Sequence, residues 1–176
     1  MNKRKSILVT SGSKRLGKYI SKFFVMNDWD LILHYNNSKV EAEETANELS
    51  LYSKNIKLYQ ADFTNYNDVE NLIQNLLLKE KEWIGLVNNA GLFEYDTGQE
   101  FTIEKLNRHM SINFSTPAIL IQALYKNIIK NQIVKNKNNM VINIIDAKIE
   151  GLNPDYYSYT LSKLAMSGLT KMSALS

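Results

Sequence analysis

Tyr159 and Lys163 stand four residues apart in Tyr159-Thr160-Leu161-Ser162-Lys163, a spacing that puts both on one face of a helix with their Cβ atoms about 5–6 Å apart. An ammonium beside a phenol favours the phenolate, pulling the tyrosine down from its ordinary pKa of about 10. A tyrosine so tuned gives or takes the proton that accompanies hydride transfer. One strand earlier lies Asn88-Asn89-Ala90-Gly91. Near the start, Thr10-Ser11-Gly12-Ser13-Lys14-Arg15-Leu16-Gly17 separates an apolar segment from a helical one. A loop so placed aims backbone N–H groups and a positive helix end at a pyrophosphate. It is not G-x-G-x-x-G, so a plain strand–helix turn with solvated Lys14 and Arg15 is its alternative reading.

Composition narrows the chemistry. The 176 residues are 44% apolar and 22% charged, the balance of one globular domain with a buried core. A net charge of +3 with scattered basic residues gives no footprint for nucleic acid. Cysteine is absent, which excludes disulfides, thiolate metal sites and a cysteine nucleophile. His34 and His109 lie far apart without ligand spacing, so no metal site is expected. The basic start Met1-Asn2-Lys3-Arg4-Lys5 resembles a signal n-region, but Ile7-Leu8-Val9 is too short an apolar run for an h-region or membrane span. The expected location is the cytoplasm.

These residues need a scaffold, and the apolar pattern predicts one. Strands are predicted over Ser6–Thr10, Asp30–Tyr35, Ile56–Gln60, Ile84–Asn88 and Met140–Ile145. Helices are predicted over Lys18–Met26, Ser38–Ser53, Asn67–Lys79, Thr102–Lys130 with a kink at Pro117, and Tyr157–Leu175. A capping box of Ser38 with Glu41 opens the second helix, and Lys135–Asn139 is a polar turn. Strands that alternate with helices and read as continuous apolar runs imply a parallel sheet covered on both faces, an α/β fold.

The end of the second strand bears on the cofactor. An NAD-type site places an acid there for the ribose 2′-hydroxyl. This chain offers His34-Tyr35-Asn36-Asn37-Ser38, with no carboxylate before Glu41. Lys14 and Arg15 supply positive charge for a 2′-phosphate, so NADPH is expected over NADH. Ser38 is equally readable as a helix cap and as a phosphate contact.

Taken together, Thr10 to Gly17, Asn88-Asn89-Ala90-Gly91, Asn113 and Tyr159-x-x-x-Lys163 resemble the short-chain dehydrogenase/reductase family over nearly the whole chain. The resemblance implies a Rossmann-like doubly wound sheet binding NAD or NADP. It further implies Tyr159 as proton donor, Lys163 lowering its pKa and holding the nicotinamide ribose, and Asn113 supporting the relay. Cofactor contacts would come from Ser11, Lys14, Arg15, Leu16, Gly17, His34, Tyr35, Asn37, Ser38, Asn89, Ala90 and Gly91, with Asp62 at the adenine. A solvated turn is the alternative for Asp62.

Departures point to a narrower likeness. Arg15 replaces a loop glycine, and Asp146 falls where the family's serine stands. With His34-Tyr35 and Phe93, these features are similar to pteridine reductases, and dihydromonapterin reductases share the aspartate. By that likeness Phe93 would stack a pterin against the nicotinamide, Arg15 would contact pterin and phosphate, and Asp146 would feed protons through water to the ring. A loop-capping Asp146 and a core or lid Phe93 are the alternatives. Three other positions depart from the pattern. Ser11 replaces the first loop glycine, Asn37 stands where arginine is common in pteridine reductases, and Gly91 stands where many have serine.

The expected function is NADPH-dependent reduction of a pterin ring in a small-molecule substrate, without nucleic acid or membrane. Rivals are a general carbonyl or 3-oxoacyl-carrier-protein reductase, and a non-catalytic remnant of a split reading frame. Family members continue past the helix carrying Tyr159, so residues 1–176 are expected to form a single dinucleotide-binding domain lacking the later strands and substrate loop. Strand five is then an apolar edge prone to association. The complete family form implies a homo-oligomer, and a C-terminal fragment is the other expected partner.

Overall fold

A computed structural model describes residues 5–53, 55–133 and 139–175. The elements run β1 (Ser6–Val9), α1 (Arg15–Met26), β2 (Asp30–Tyr35), α2 (Lys39–Leu49), β3 (Ile56–Gln60), α3 (Tyr66–Lys79) and β4 (Trp83–Asn88). There follow α4 (Ile103–Met110), a π turn (Ser111–Ser115), α5 (Thr116–Lys130), β5 (Met140–Asn143), a short 3₁₀ turn (Ala147–Ile149) and α6 (Tyr157–Ser173). The strands pair in parallel in the order β3-β2-β1-β4-β5. The chain thus builds outward from β1 one way and from β4 the other, which opens a crevice at the carboxyl ends of β1 and β4.

Alternation along the strands divides the core in two. Leu8, Ile32 and Leu86 pack with Leu72 and Leu76 of α3 and Leu120 and Leu124 of α5. Ile7, Val9, Leu31, Leu33 and Val87 pack on the opposite face with Phe24 of α1 and Leu49 of α2. Burial on both faces explains the near-continuous apolar strands. At the β5 edge, Val141 and Ile142 remain exposed.

Three local expectations are corrected. The helix predicted across Thr102–Lys130 is broken by the π turn at Ser111–Ser115, and Pro117 lies in the first turn of α5. Proline has no N–H for the carbonyl four residues back, which is that of Asn113. The helix therefore changes pitch there. The Ser38–Glu41 capping box does not form, because Ser38 makes no side-chain cap and its Oγ lies 2.9 Å from Ser13 Oγ. Finally, β5 stops at Asn143, leaving Ile144 and Ile145 outside the ladder. The polar turn at Lys135–Asn139, apart from Asn139, and the basic start through Arg4 lie outside the described residues. Among the described residues no helix is long and apolar enough to cross a membrane.

Candidate active site

The floor of the crevice hangs on one hydroxyl. Thr10 Oγ1 donates to the Val87 carbonyl at 3.2 Å and accepts from the backbone N–H groups of Asn89 and Ala90, each at 2.9 Å. Asn89 Nδ2 donates to the carbonyls of Thr10 and Ser11. The Asn88-Asn89-Ala90-Gly91 segment is thereby sewn to the end of β1. A Cβ on Gly17 would stand 2.1 Å from the Ser11 carbonyl oxygen and 2.7 Å from Asn89 Nδ2. Only glycine lets α1 start this close to the loop.

The loop itself is strained. Ser11 and Arg15, which replace the family's first two loop glycines, both hold left-handed backbone with φ of 49° and 47°. Such a conformation costs a side-chain-bearing residue about 1–2 kcal/mol. His34 helps hold it. Its ring is buried, Nδ1 accepts the Ser11 N–H at 3.2 Å, and Nε2 lies 3.0 Å from the Ala61 carbonyl oxygen. Those partners fix the neutral ring with its proton on Nε2. Burial drives the His34 pKa down to about 4, partly opposed by the Ala61 bond. The His34 ring is thus a latch between β2, the loop and the end of β3, with both nitrogens engaged within the fold.

At the open rim Ser13 Oγ meets Ser38 Oγ, and Lys14 Nζ lies 2.6 Å from Glu41 Oε1. The first carboxylate after β2, at Glu41, therefore pairs with one of the two cations assigned to a phosphate. Asp62 Oδ1 accepts from the N–H and the hydroxyl of Thr64, each at 2.8 Å, so its carboxylate closes its own turn.

The catalytic candidates converge between β4, β5 and α6. Tyr159 OH donates to Asp146 Oδ2 at 2.5 Å. Lys163 Nζ donates to the Ile144 carbonyl at 2.8 Å and stands 5.8 Å from the Tyr159 ring centre. Here the expected electrostatics reverse. Burial first, then the hydrogen bond and charge of Asp146, raise the Tyr159 pKa above its ordinary value. Burial lowers that of Lys163, with Asp146 opposing. Burial, reinforced by the adjacent carboxylate, keeps the proton on the phenol. Asp146 itself is held below the usual carboxylate range, chiefly by Tyr159 and then by the Lys148 N–H. It rests as an acceptor, and any proton it hands to a ring must first be taken from solvent.

Asn113 is buried in the π turn, and both of its amide hydrogens are spent on the Leu92 carbonyl and Ser162 Oγ. Its Oδ1 accepts the Leu92 N–H at 2.8 Å. That side chain ties the segment after β4 to α6, so it positions the site. Phe93 is half exposed, stacks on Tyr156 with ring centres 4.1 Å apart, and meets Tyr159 edge-on at 4.6 Å.

One open cavity of about 520 Å³ gathers most of these groups. Ser11, Lys14, Arg15, Leu16, Gly17, Ser38, Asn89, Gly91, Phe93, Tyr159 and Lys163 line it. His34, Tyr35, Asn37, Asp62, Ala90, Asn113 and Asp146 do not, although Asp146 reaches it through Tyr159. Sequence reasoning missed Ser13 and Ile144, which also line the cavity, and Tyr156. The place of Ser13 in the loop was a usable signal. Ile144 acts through its backbone and gave none.

The cavity fits a dinucleotide. Gly17 lets α1 begin against the loop, cations and hydroxyls sit at the loop, and the proton donor lies at the other end.

Comparison with known proteins agrees with this layout. The family model described as short chain dehydrogenase matches residues 5–176. The FolM alternative dihydrofolate reductase 1 from Brucella canis, solved with NADP, superposes with a TM-score of 0.85 at 31% identity, over 97% of this chain and 67% of that one. A blue fluorescent protein from a metagenomic library, solved with NADPH, gives 0.81 at 26% identity, over 94% and 65%. A hydroxynaphthalene reductase-like protein Arp2 from Metarhizium anisopliae is 24% identical over 97% of this chain and 62% of its own length. The chain thus spans less than two thirds of that curated relative. NADPH, the expected cofactor, agrees with these NADP-bound and NADPH-bound neighbours. The match of that family model over residues 5–176 shows that the chain belongs to the short chain dehydrogenase family.

Proposed function

We propose that this chain carries the cofactor crevice and proton donor of an NADPH-dependent reductase acting on a planar pterin-type ring. NADPH, when bound, supplies the hydride. The loop from Ser11 to Gly17 receives its pyrophosphate, and Lys163 Nζ, anchored on the Ile144 carbonyl, sits beside the nicotinamide ribose. Tyr159 starts protonated, as a reduction requires, and releases its proton to the substrate atom that gains charge.

The observation that carries the ring assignment is the 2.5 Å bond from Tyr159 to Asp146. A carboxylate there keeps the phenol charged with its proton and recovers one from solvent, which suits a ring C=N that must gain a proton at nitrogen. A neutral serine would serve a simple ketone. Phe93, half exposed and lining the cavity, supports the reading by offering a flat face beside the donor. The likeness to the dihydrofolate reductase named FolM adds to it.

The likeness to hydroxynaphthalene reductase-like proteins favours a hydroxynaphthalene-type substrate instead. Titrating the NADP⁺-saturated chain with a dihydropterin and with a naphthol-type ligand separates the two. Tighter dihydropterin binding that Phe93→Ala weakens at least about tenfold, or about 1.4 kcal/mol, is the expected result. Preference for the naphthol, or no response to Phe93→Ala, defeats the pterin reading.

A further inference from the structure

Glu41 lies in the first turn of α2, at the rim of the cofactor crevice. Its Oε1 is 2.6 Å from Lys14 Nζ, and the two side chains are 43% and 50% exposed. Lys14 lines the cavity next to Ser13, Arg15 and Ser38. These two hydroxyls and two cations form the seat that the NADPH reading gives to the 2′-phosphate, and the present inference rests on that reading.

A phosphate arriving there meets a lysine that already has a partner. Either Lys14 leaves Glu41, or the phosphate binds with a carboxylate close by. Both routes cost a dianion binding energy. Neither penalises a ribose 2′-hydroxyl, which is uncharged and can donate to a carboxylate. Lys14 first, and then the backbone N–H of Glu41, hold the Glu41 carboxyl below its ordinary range, so it is ionised at neutral pH.

We infer that Glu41 moderates cofactor choice by competing for Lys14, weakening the grip on the 2′-phosphate and narrowing the gap between NADPH and NADH. It acts through Lys14 and is a positioning residue. The carboxylate absent from the end of β2 is thus present in another form, one turn later and aimed at a lysine.

The test uses 2′,5′-ADP and 5′-ADP as probes, with calorimetric titration of the chain. Glu41→Gln should tighten 2′,5′-ADP about two- to five-fold, the range of an exposed ion pair, and leave 5′-ADP unchanged or weaker. Glu43→Gln is the control for net charge, since Glu43 pairs instead with Lys39 at 3.8 Å, and it should move neither. In a Lys14→Ala background the gain from Glu41→Gln should fall below about two-fold.

A silent Glu41→Gln, or a gain that survives without Lys14, overturns the inference. An unaltered chain that binds 2′,5′-ADP no tighter than 5′-ADP overturns the NADPH reading itself. The two failures are therefore distinguishable.

Discussion

Acidification should strike this chain first at His34. The buried ring has its pKa driven from 6.5 to about 4. Between those values the unfolded chain takes up a proton that the folded chain refuses, so stability rises with pH through this window and is lost as pH falls. The gap between 6.5 and about 4, at about 1.36 kcal/mol for each pH unit, comes to about 3 kcal/mol. That is a sizeable share of the roughly 5–15 kcal/mol holding a typical domain together. The damage is local as well as global, because a proton on Nδ1 would face the Ser11 N–H that now donates to it. Urea unfolding of the chain and of His34→Gln, followed from about pH 7.5 down to about pH 4.5, checks this. The substitution removes the titrating ring, so its acid slope should be shallower whatever it does to stability at neutral pH. Other acid-sensitive groups act equally in both proteins and cancel in the difference. Parallel curves would refute the assignment of a buried, neutral imidazole.

Two further outcomes follow from the strained loop and the tyrosine. Ser11→Gly should relieve a left-handed residue worth about 1–2 kcal/mol and lose about 0.4–1 kcal/mol to the freer unfolded chain. A midpoint higher by about 2–4 °C is expected, and a lower one counts against strain at Ser11. Asp146→Asn should move the Tyr159 pKa down, since one of its causes is that carboxylate, while burial still holds it above the ordinary value. Phenolate absorbance titrated against a Tyr159→Phe background isolates this group among the ten tyrosines. An unmoved pKa would show that Asp146 does not govern the donor.

Local patterns announced the scaffold well because its three central strands, β1, β2 and β4, are buried on both faces. The ranges of β2 and β3 match their predicted spans residue for residue, and the parallel sheet follows from the apolar central strands. Contacts between distant segments were what remained hidden. Ser38 and Glu41 have the spacing of a capping box, yet one turns to Ser13 and the other to Lys14, partners more than twenty residues away. Four-residue spacing correctly paired Tyr159 with Lys163 but said nothing of the burial of the phenol, nor of Asp146, which the turn after β5 brings to 2.5 Å; together, burial first, they reverse the sign of the expected pKa change. The π turn was half visible, since Pro117 marked the disturbance without giving its form.

The hydroxyl of Thr10 also bears on how this crevice can evolve. Three hydrogen bonds on one oxygen make it a rivet where the two halves of the sheet diverge, so the width of the opening is a fixed gauge. Replacing Thr10 by an isosteric valine would strand the Ala90 N–H at about 1–3 kcal/mol, and leave the Asn89 N–H with the Val87 carbonyl alone. At the rim the pairings are of side chain with side chain, Ser13 with Ser38 and the exposed Lys14 with Glu41. Mutational exploration is therefore channelled to the edge of the aperture, where cofactor preference can wander while the gauge stays constant.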